Sequence, residues 1–564
     1  MSDNLSKSKS EGKTEAEGLS YLFRISDIDI AINSGSDLTQ RIRKVFGIPE
    51  KMTEAKFEVL VKKICNCCLK HIKDLHELHI KRGKALQMIN EIIMKAQPSY
   101  FQPHHVVHLV WSMMSCIHHF QLRFRTGALT IITRTRKKQA MECMNSYSEL
   151  IRLFPKSTHR VVLNALIIFY KEGKLWTIEF RLTELICDLL YLYDDIEEAL
   201  EDILSTAEQT SLTSNVETRM LIKVLYEILG LVKWSHISEN MIRRFLIILI
   251  KSFNPKPKYF YNYGPMKSGL TICIRNITKN LNNEDLMTML VIIIKTISLQ
   301  EMDDETTLCL GSIAEYAALR YVSTTFVQSF PDDLITNIWT MLESDNAIQH
   351  LFATRIFQNL LDRQNNKMEF ERPKIYFKDA RYNITVARYS ARDKTFYKKH
   401  RYQIFKVLLQ GLKHHYTNRI NLENIYGLMA VTCVEIPCSY VASSMVCLAM
   451  SMQEFILTTN HENMVACHHV HAIVMSLMSL VCYIFGANVF YSYVALISDR
   501  RSELAPHLNP PLKAVYKYAQ HHILWNKPEL FFEDWEARYG LWKCFRNIRQ
   551  HKKNRTEKLE TGSW

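Results

Sequence analysis

Glycine and proline are scarce, at 16 and 14 in 564 residues, and so few turn formers argue against a strand-rich fold, which needs frequent punctuation. Catalytic signatures are missing as well. The chain has no phosphate-cradling glycine loop, no Gly-x-Ser-x-Gly nucleophile elbow and no kinase catalytic loop, which excludes the enzyme classes built on those motifs. A lipase-like activity assembled from scattered residues is the enzymatic alternative left standing. The first residues carry no secretory signal, so the fourteen cysteines read as reduced cytosolic thiols and not as a disulfide framework.

What is present is apolar and periodic. Hydrophobic residues make up 47% of the chain, and they recur at helical spacing in Leu150–Tyr170 and Asn240–Phe253. Short polar connectors such as Asn280–Asp285 and Ser329–Asp333 separate these runs. Helices stacked without a strict sequence period predict an all-α, armadillo/HEAT-like helical solenoid, each unit completing the core of its neighbour. Residues 41–535 read as the helical-repeat rod, with an irregular aromatic and basic insertion at about 363–401. Residues 1–40, polar and poor in aromatics, read as a disordered tail, and residues 536–564 as a basic C-terminal tail. The longest uncharged run, Ala472–Ile497, is long enough to span a bilayer. Gly486 and Asn488 divide it, which favours two buried helices over one membrane span.

Charge is unevenly distributed. The chain carries +14 overall, and the window from Val61 to Lys138 alone holds fourteen basic residues against Asp74, Glu77 and Glu91, a net of +11. The candidate patch comprises Lys62, Lys63, Lys70, Lys73, Lys81, Arg82, Lys84, Arg123, Arg125, Arg134, Arg136, Lys137 and Lys138. Such a field attracts anionic surfaces in a salt-sensitive way. Nucleic acid would satisfy the same charge, but no nucleic-acid-binding module is visible and none is expected as a partner. A solvated basic face without a ligand is the plain alternative. An acidic block follows between Glu179 and Glu208, where ten carboxylates stand against Arg181.

A series of short runs then occurs in a fixed order: Leu360–Asn366, Ala391–Phe405, Asn421–Ile436, Cys447–Leu457, Cys467–Val481 and Arg500–Pro511. This order resembles the Efr-three (eighty-five-requiring; rolling blackout, stambha A) family, with weaker echoes at Arg41–Met52, Gly83–Ile93 and Gly173–Phe180. The resemblance implies a non-enzymatic scaffold, peripheral on the cytoplasmic face of the plasma membrane. Such a scaffold binds acidic phospholipids through basic N-terminal helices and recruits a phosphatidylinositol 4-kinase complex through its tetratricopeptide adaptor. A soluble helical adaptor acting on proteins alone is the alternative. The match fades after Pro528–Gly540, and the family's further C-terminal region, which helps engage the adaptor, is not seen here; adaptor binding is the expectation this departure bears on.

The family's palmitoylated cysteine cluster has no counterpart in Ser34–Gln40. Cys65, Cys67 and Cys68, flanked by lysines, are the candidate displaced acylation site, against a buried helical trio. Cys67 with His71, His104 with His108, and the Cys467, His468, His469, His471 cluster offer metal-ligand spacing, but no second Cys-x-x-Cys pair accompanies them. No metal site and no cofactor are expected.

Overall fold

A computed structural model describes residues 52–70, 72–122, 130–173, 179–193, 196–231, 237–253, 263–458, 463–517 and 527–546. Among them every regular element is a helix, and the chain divides into two compact units, Met1–Leu200 and Glu201–Trp564. The armadillo-type helical expectation holds in each.

The first unit contains α1 (Glu54–Cys68), α2 (Leu75–Lys95), α3 (Pro103–Leu122), α4 (Thr130–Leu153), α5 (His159–Gly173) and α6 (Glu179–Leu190); α7 (Ile196–Ser211) crosses the division. Their starts are set by short polar side chains. Thr53 caps α1 by accepting from the Lys56 N–H, and Asp74 caps α2 by accepting from His76 and Glu77, satisfying donors that the first turn leaves unpaired. Helices α1, α3 and α5 pack side by side as one row, α2, α4 and α6 as a second. Phe57, Ile64, Ile89, Val106 and Leu163 fill the space between them.

The second unit repeats this plan over a longer span. One row runs through α8 (Asn215–Leu231), α10 (Tyr263–Asn280), α12 (Asp304–Arg320), α15 (Ala347–Leu361), α17 (Arg419–Glu435) and α19 (Met464–Phe485). The other runs through α9 (Glu239–Phe253), α11 (Asn283–Leu299), α14 (Asp332–Glu343), α16 (Ala391–His415) and α18 (Ser439–Thr458). A single turn, α13 (Phe326–Ser329), precedes α14; α20 (Asn488–Leu504) and α21 (residues 534–546) close the unit. Successive members of each row contact one another, and helices of the two rows pack across, the two-layer stacking of helical repeats.

The run from Ala472 to Ile497 is two helices. Helix α19 ends at Gly486, whose left-handed φ of 57° closes the last turn where a side chain would be strained, and α20 starts at Asn488. Among the described residues two helices are long and apolar enough to cross a membrane, α18 and α19, but 94% of the apolar stretch of α19 is buried, with α17, α18 and α20 packed against it.

The basic insertion divides differently from the sequence expectation. Residues 362–390 are irregular apart from one short turn at Lys367–Phe370, and helix α16 already begins at Ala391. Ser390 and Asp393 form a capping box there, while Phe396, Tyr397, Ile404, Val407 and Leu408 form its buried stripe. A dense coat of Arg392, Lys394, Lys398, Lys399 and Arg401 obscures that period. The irregular part lies across α17 and α19. Lys374 and Tyr376 donate backbone N–H groups to Ser476 and Ser479, and the Tyr376 hydroxyl meets that of Tyr426 at 3.0 Å.

Gly311 marks a close approach in the row. A Cβ there would sit 2.3 Å from the Phe352 ring of α15, so Gly311→Ala is expected to lower stability by about 1–3 kcal/mol despite the better helix propensity of alanine. A thermal melt showing equal or higher stability would refute this packing.

Candidate functional site

The basic end is built on α1, α2 and the connector between them. In α1, Phe57, Leu60, Val61, Ile64 and Cys68 face the core, which by helical geometry leaves Lys62 and Lys63 outside. Lys62, Lys63, Lys70, Lys73, Lys84 and Lys138 are all exposed. Lys63 and Lys84 line a shared groove of about 550 Å³ with Asn66, Cys67, Gln87, Met88 and Glu91. Lys81 is half-buried and paired to Glu77 at 2.6 Å. Arg82 belongs to the interior instead: it is buried and its guanidinium donates to the Cys67 carbonyl, so its charge serves the α1–α2 contact. Arg134, Arg136 and Lys137 lie on α4, with their side chains outside the described residues, as Arg123 and Arg125 are altogether.

The three cysteines separate by depth. Cys68 is buried with its Sγ 3.6 Å from that of Cys116. The Cys116 thiol, with the nearby Arg82 charge, lowers the Cys68 pKa, while Cys116 is pushed well up by its contact with Cys68 and by burial. Burial raises the half-buried Cys65, which makes its thiolate, the reactive form, scarcer. Cys67 is half-buried and faces the groove. Only Cys67 is thus placed on the groove beside the lysines.

The histidines singled out by spacing mostly serve packing. His105, not His108, is the buried member at the start of α3, and its Nε2 lies 2.7 Å from Glu58 Oε1. Glu58, His104 and His105 bring one ligand atom each within 4.8 Å of one another, and the His105–Glu58 contact already engages two of the three. His71 lies outside the described residues. His468, His469 and His471 are buried along α19; His469 meets the Lys513 carbonyl at 2.8 Å and the His471 ring lies tilted, 5.1 Å from that of Phe531. The acidic block is likewise partly neutralised, with Glu201 and Glu208 held by Arg244 at 2.9 and 2.8 Å, and Glu208 also by Lys251.

The ordered runs of the C-terminal half converge on polar nodes that sequence reasoning did not identify. Arg363, from the first run, binds Asp393 of the second at 3.0 Å and Glu435 of the third at 3.0 Å. Both carboxylates are buried, at 1% and 0% side-chain exposure. Burial pushes Asp393 up, but the N–H groups of Phe326 and Ser390 together with Arg363 outweigh it and hold the carboxyl below its usual range. For Glu435, burial wins over Arg363 and the pKa is raised. Gln453, in the fourth run, pairs with the Phe532 backbone in both directions, accepting at 3.0 Å and donating at 2.8 Å. Arg501, in the last run, is fully buried and donates to the carbonyls of Leu530, Leu508 and of His471 in the fifth run, at 2.7, 3.1 and 3.2 Å. The runs therefore hold helices together, through Arg363, Asp393, Glu435 and Arg501 in particular.

The sequence profile described as EFR3, armadillo repeat, matches residues 49–531. Human EFR3 homolog B is 21% identical over 200 residues, which cover 34% of this chain and 24% of that protein. Mouse EFR3 homolog A is 22% identical over 193 residues, 34% of this chain and 23% of that protein. These alignments span about a quarter of the length of the relatives. A solved engineered protein covers 87% of the chain at 10% identity, with a TM-score of 0.25 that carries no argument.

Proposed function

The chain belongs to the EFR3 armadillo-repeat family, and on that premise we propose that it is a peripheral scaffold on the cytoplasmic face of the plasma membrane. It helps recruit a phosphatidylinositol 4-kinase complex to the inner leaflet, supporting phosphoinositide synthesis. Its partners in this reading are acidic phospholipids and the tetratricopeptide adaptor of the kinase. Scaffold families of stacked helices act through extended surfaces.

The observation that carries the membrane part is the set of exposed lysines on α1, α2 and their connector, Lys62, Lys63, Lys70, Lys73 and Lys84. Each basic group near an acidic leaflet contributes about 1 kcal/mol, and the attraction falls with salt. The full chain is expected to float with phosphatidylserine vesicles at low salt. Reversing Lys62, Lys63, Lys70 and Lys84 to Glu should weaken that binding by more than about tenfold with little change in stability, because all four are exposed. Purified kinase complex added to the same vesicles should float only when the chain is present. Vesicle binding that survives the reversal would remove the basic end from the mechanism; kinase that never co-floats would leave the soluble adaptor.

A further inference from the structure

Helix α21, three residues beyond the family match at 531, has an unusual outer face. Its inner side buries Ala537 and Leu541, while Trp535, Tyr539 and Trp542 project outward at 72%, 39% and 54% exposure. Their i, i+4, i+7 spacing sets them on one stripe. The rings of Trp535 and Tyr539 stack at 6.1 Å and 20°, those of Tyr539 and Trp542 at 6.1 Å and 29°. Two cations stand over this ladder, Lys543 at 5.7 Å from the Tyr539 ring and Arg546 at 5.0 Å from the Trp542 ring.

Large aromatics gathered outward on a helix are costly in water, and Trp and Tyr with interspersed cations are the composition that settles at a bilayer interface. Beside the stripe, a groove of about 500 Å³ opens between α18 and α21, lined by Val446, Cys447, Leu541 and Phe545 with Arg538 and Arg546 at its edge. Asp534 is neutralised by Arg538 at 2.7 Å, which leaves Glu536 as the acidic residue beside Lys543 and Arg546 on the exposed sides of the helix. The sequence past Arg546 adds Arg549, Lys552, Lys553, Arg555 and Lys558 against Glu557 and Glu560. Apolar and aromatic area beside net positive charge fits an anionic membrane surface better than it fits solvent.

We infer that the aromatic ridge of α21 is a second membrane contact, with Trp535, Tyr539 and Trp542 seated at the headgroup level of an anionic bilayer and Lys543 and Arg546 against lipid phosphates. This rests on the membrane reading above and adds a site that the basic end does not supply.

The test is flotation of the full chain with phosphatidylcholine vesicles containing phosphatidylserine, for the wild type, for Trp535→Ala/Tyr539→Ala/Trp542→Ala and for Lys62→Glu/Lys63→Glu/Lys84→Glu. The aromatic variant should bind about tenfold more weakly or worse, with an unchanged melting temperature because the rings are exposed. Brominated lipids should quench wild-type tryptophan fluorescence and quench the variant less. Lys543→Glu/Arg546→Glu, which leaves the rings in place, should weaken binding in the same direction. If the wild type floats and the aromatic and cation variants float equally, the ridge serves something other than lipid and the inference falls while the membrane reading stands. If the aromatic variant fails and the lysine variant does not, the ridge is confirmed and the basic end is not the contact. If the wild type does not float, both fall together.

Discussion

Arg363→Met is expected to destabilise the second unit by about 3–5 kcal/mol, the cost of leaving buried carboxylates without their cation. Asp393 and Glu435 would both lose their guanidinium partner while remaining inside, since α16 and α17 hold them there through buried Phe396, Tyr397, Leu422 and Ile425. The loss is more than one ion pair. Asp393 also caps α16 and accepts from the Phe326 N–H at 3.2 Å, and the Arg363 guanidinium lies 4.1 Å from the centre of the Phe326 ring. Chemical unfolding followed by circular dichroism measures the effect. Arg363→Lys keeps the charge but not the forked geometry that serves two carboxylates at once, so it should fall between wild type and Met. If the Met variant is as stable as wild type, the node contributes specificity only. A triple variant with Asp393→Asn and Glu435→Gln should recover part of the loss, because the groups left behind no longer carry buried charge.

Acidification from pH 7 to pH 5 should lower the unfolding midpoint of the second unit. His350 is held down to about 3 by burial and then by the charges of His415 and His414; the ring faces His415 at 4.6 Å, and its Nδ1 lies 2.9 Å from the Asn421 amide nitrogen. His468 is also held down to about 3, by burial and by neighbouring His507 and His469. A pKa depressed by folding gives stability that is complete above the unfolded value near 6.5 and is lost as pH falls toward the folded value. At pH 5 each residue should therefore cost about 2 kcal/mol. Glu435 acts in the opposite sense, because its raised pKa makes the fold favour the protonated form as pH falls. The His350→Gln variant isolates the histidine contribution: its midpoint should fall less than that of the wild type over the same range. A His350→Gln midpoint that falls as far as that of the wild type would show that the His350 ring does not stay neutral in the folded chain.

The helical class, the break at Gly486 and the family were all legible in the chain. Sparse glycine and proline and a 3.6-residue apolar period are properties of adjacent residues, and they survive whatever the helices later pack against. The serial order of the motif runs was equally readable, since order is a property of sequence. The start of α16 was not, because the basic residues Arg392, Lys394, Lys398, Lys399 and Arg401 coat the buried stripe of Phe396, Tyr397 and Ile404.

Charge destination was the least legible feature. A window count treats Lys62 and Arg82 alike, yet one is exposed and the other is buried against the Cys67 carbonyl. Asp393, Glu435 and Arg501 look like surface residues in the sequence and are buried, with Arg363 nearly so, and Tyr539 and Trp542, which sequence reading assigned to the basic C-terminal tail, stand with Trp535 on a helix. By itself the sequence determined that helices form, roughly where they begin, and to which family their order belongs. Only the tertiary structure decided which charges meet water and which meet each other, because Arg363 and Glu435 are 72 residues apart and their contact exists only once α15, α16 and α17 have stacked.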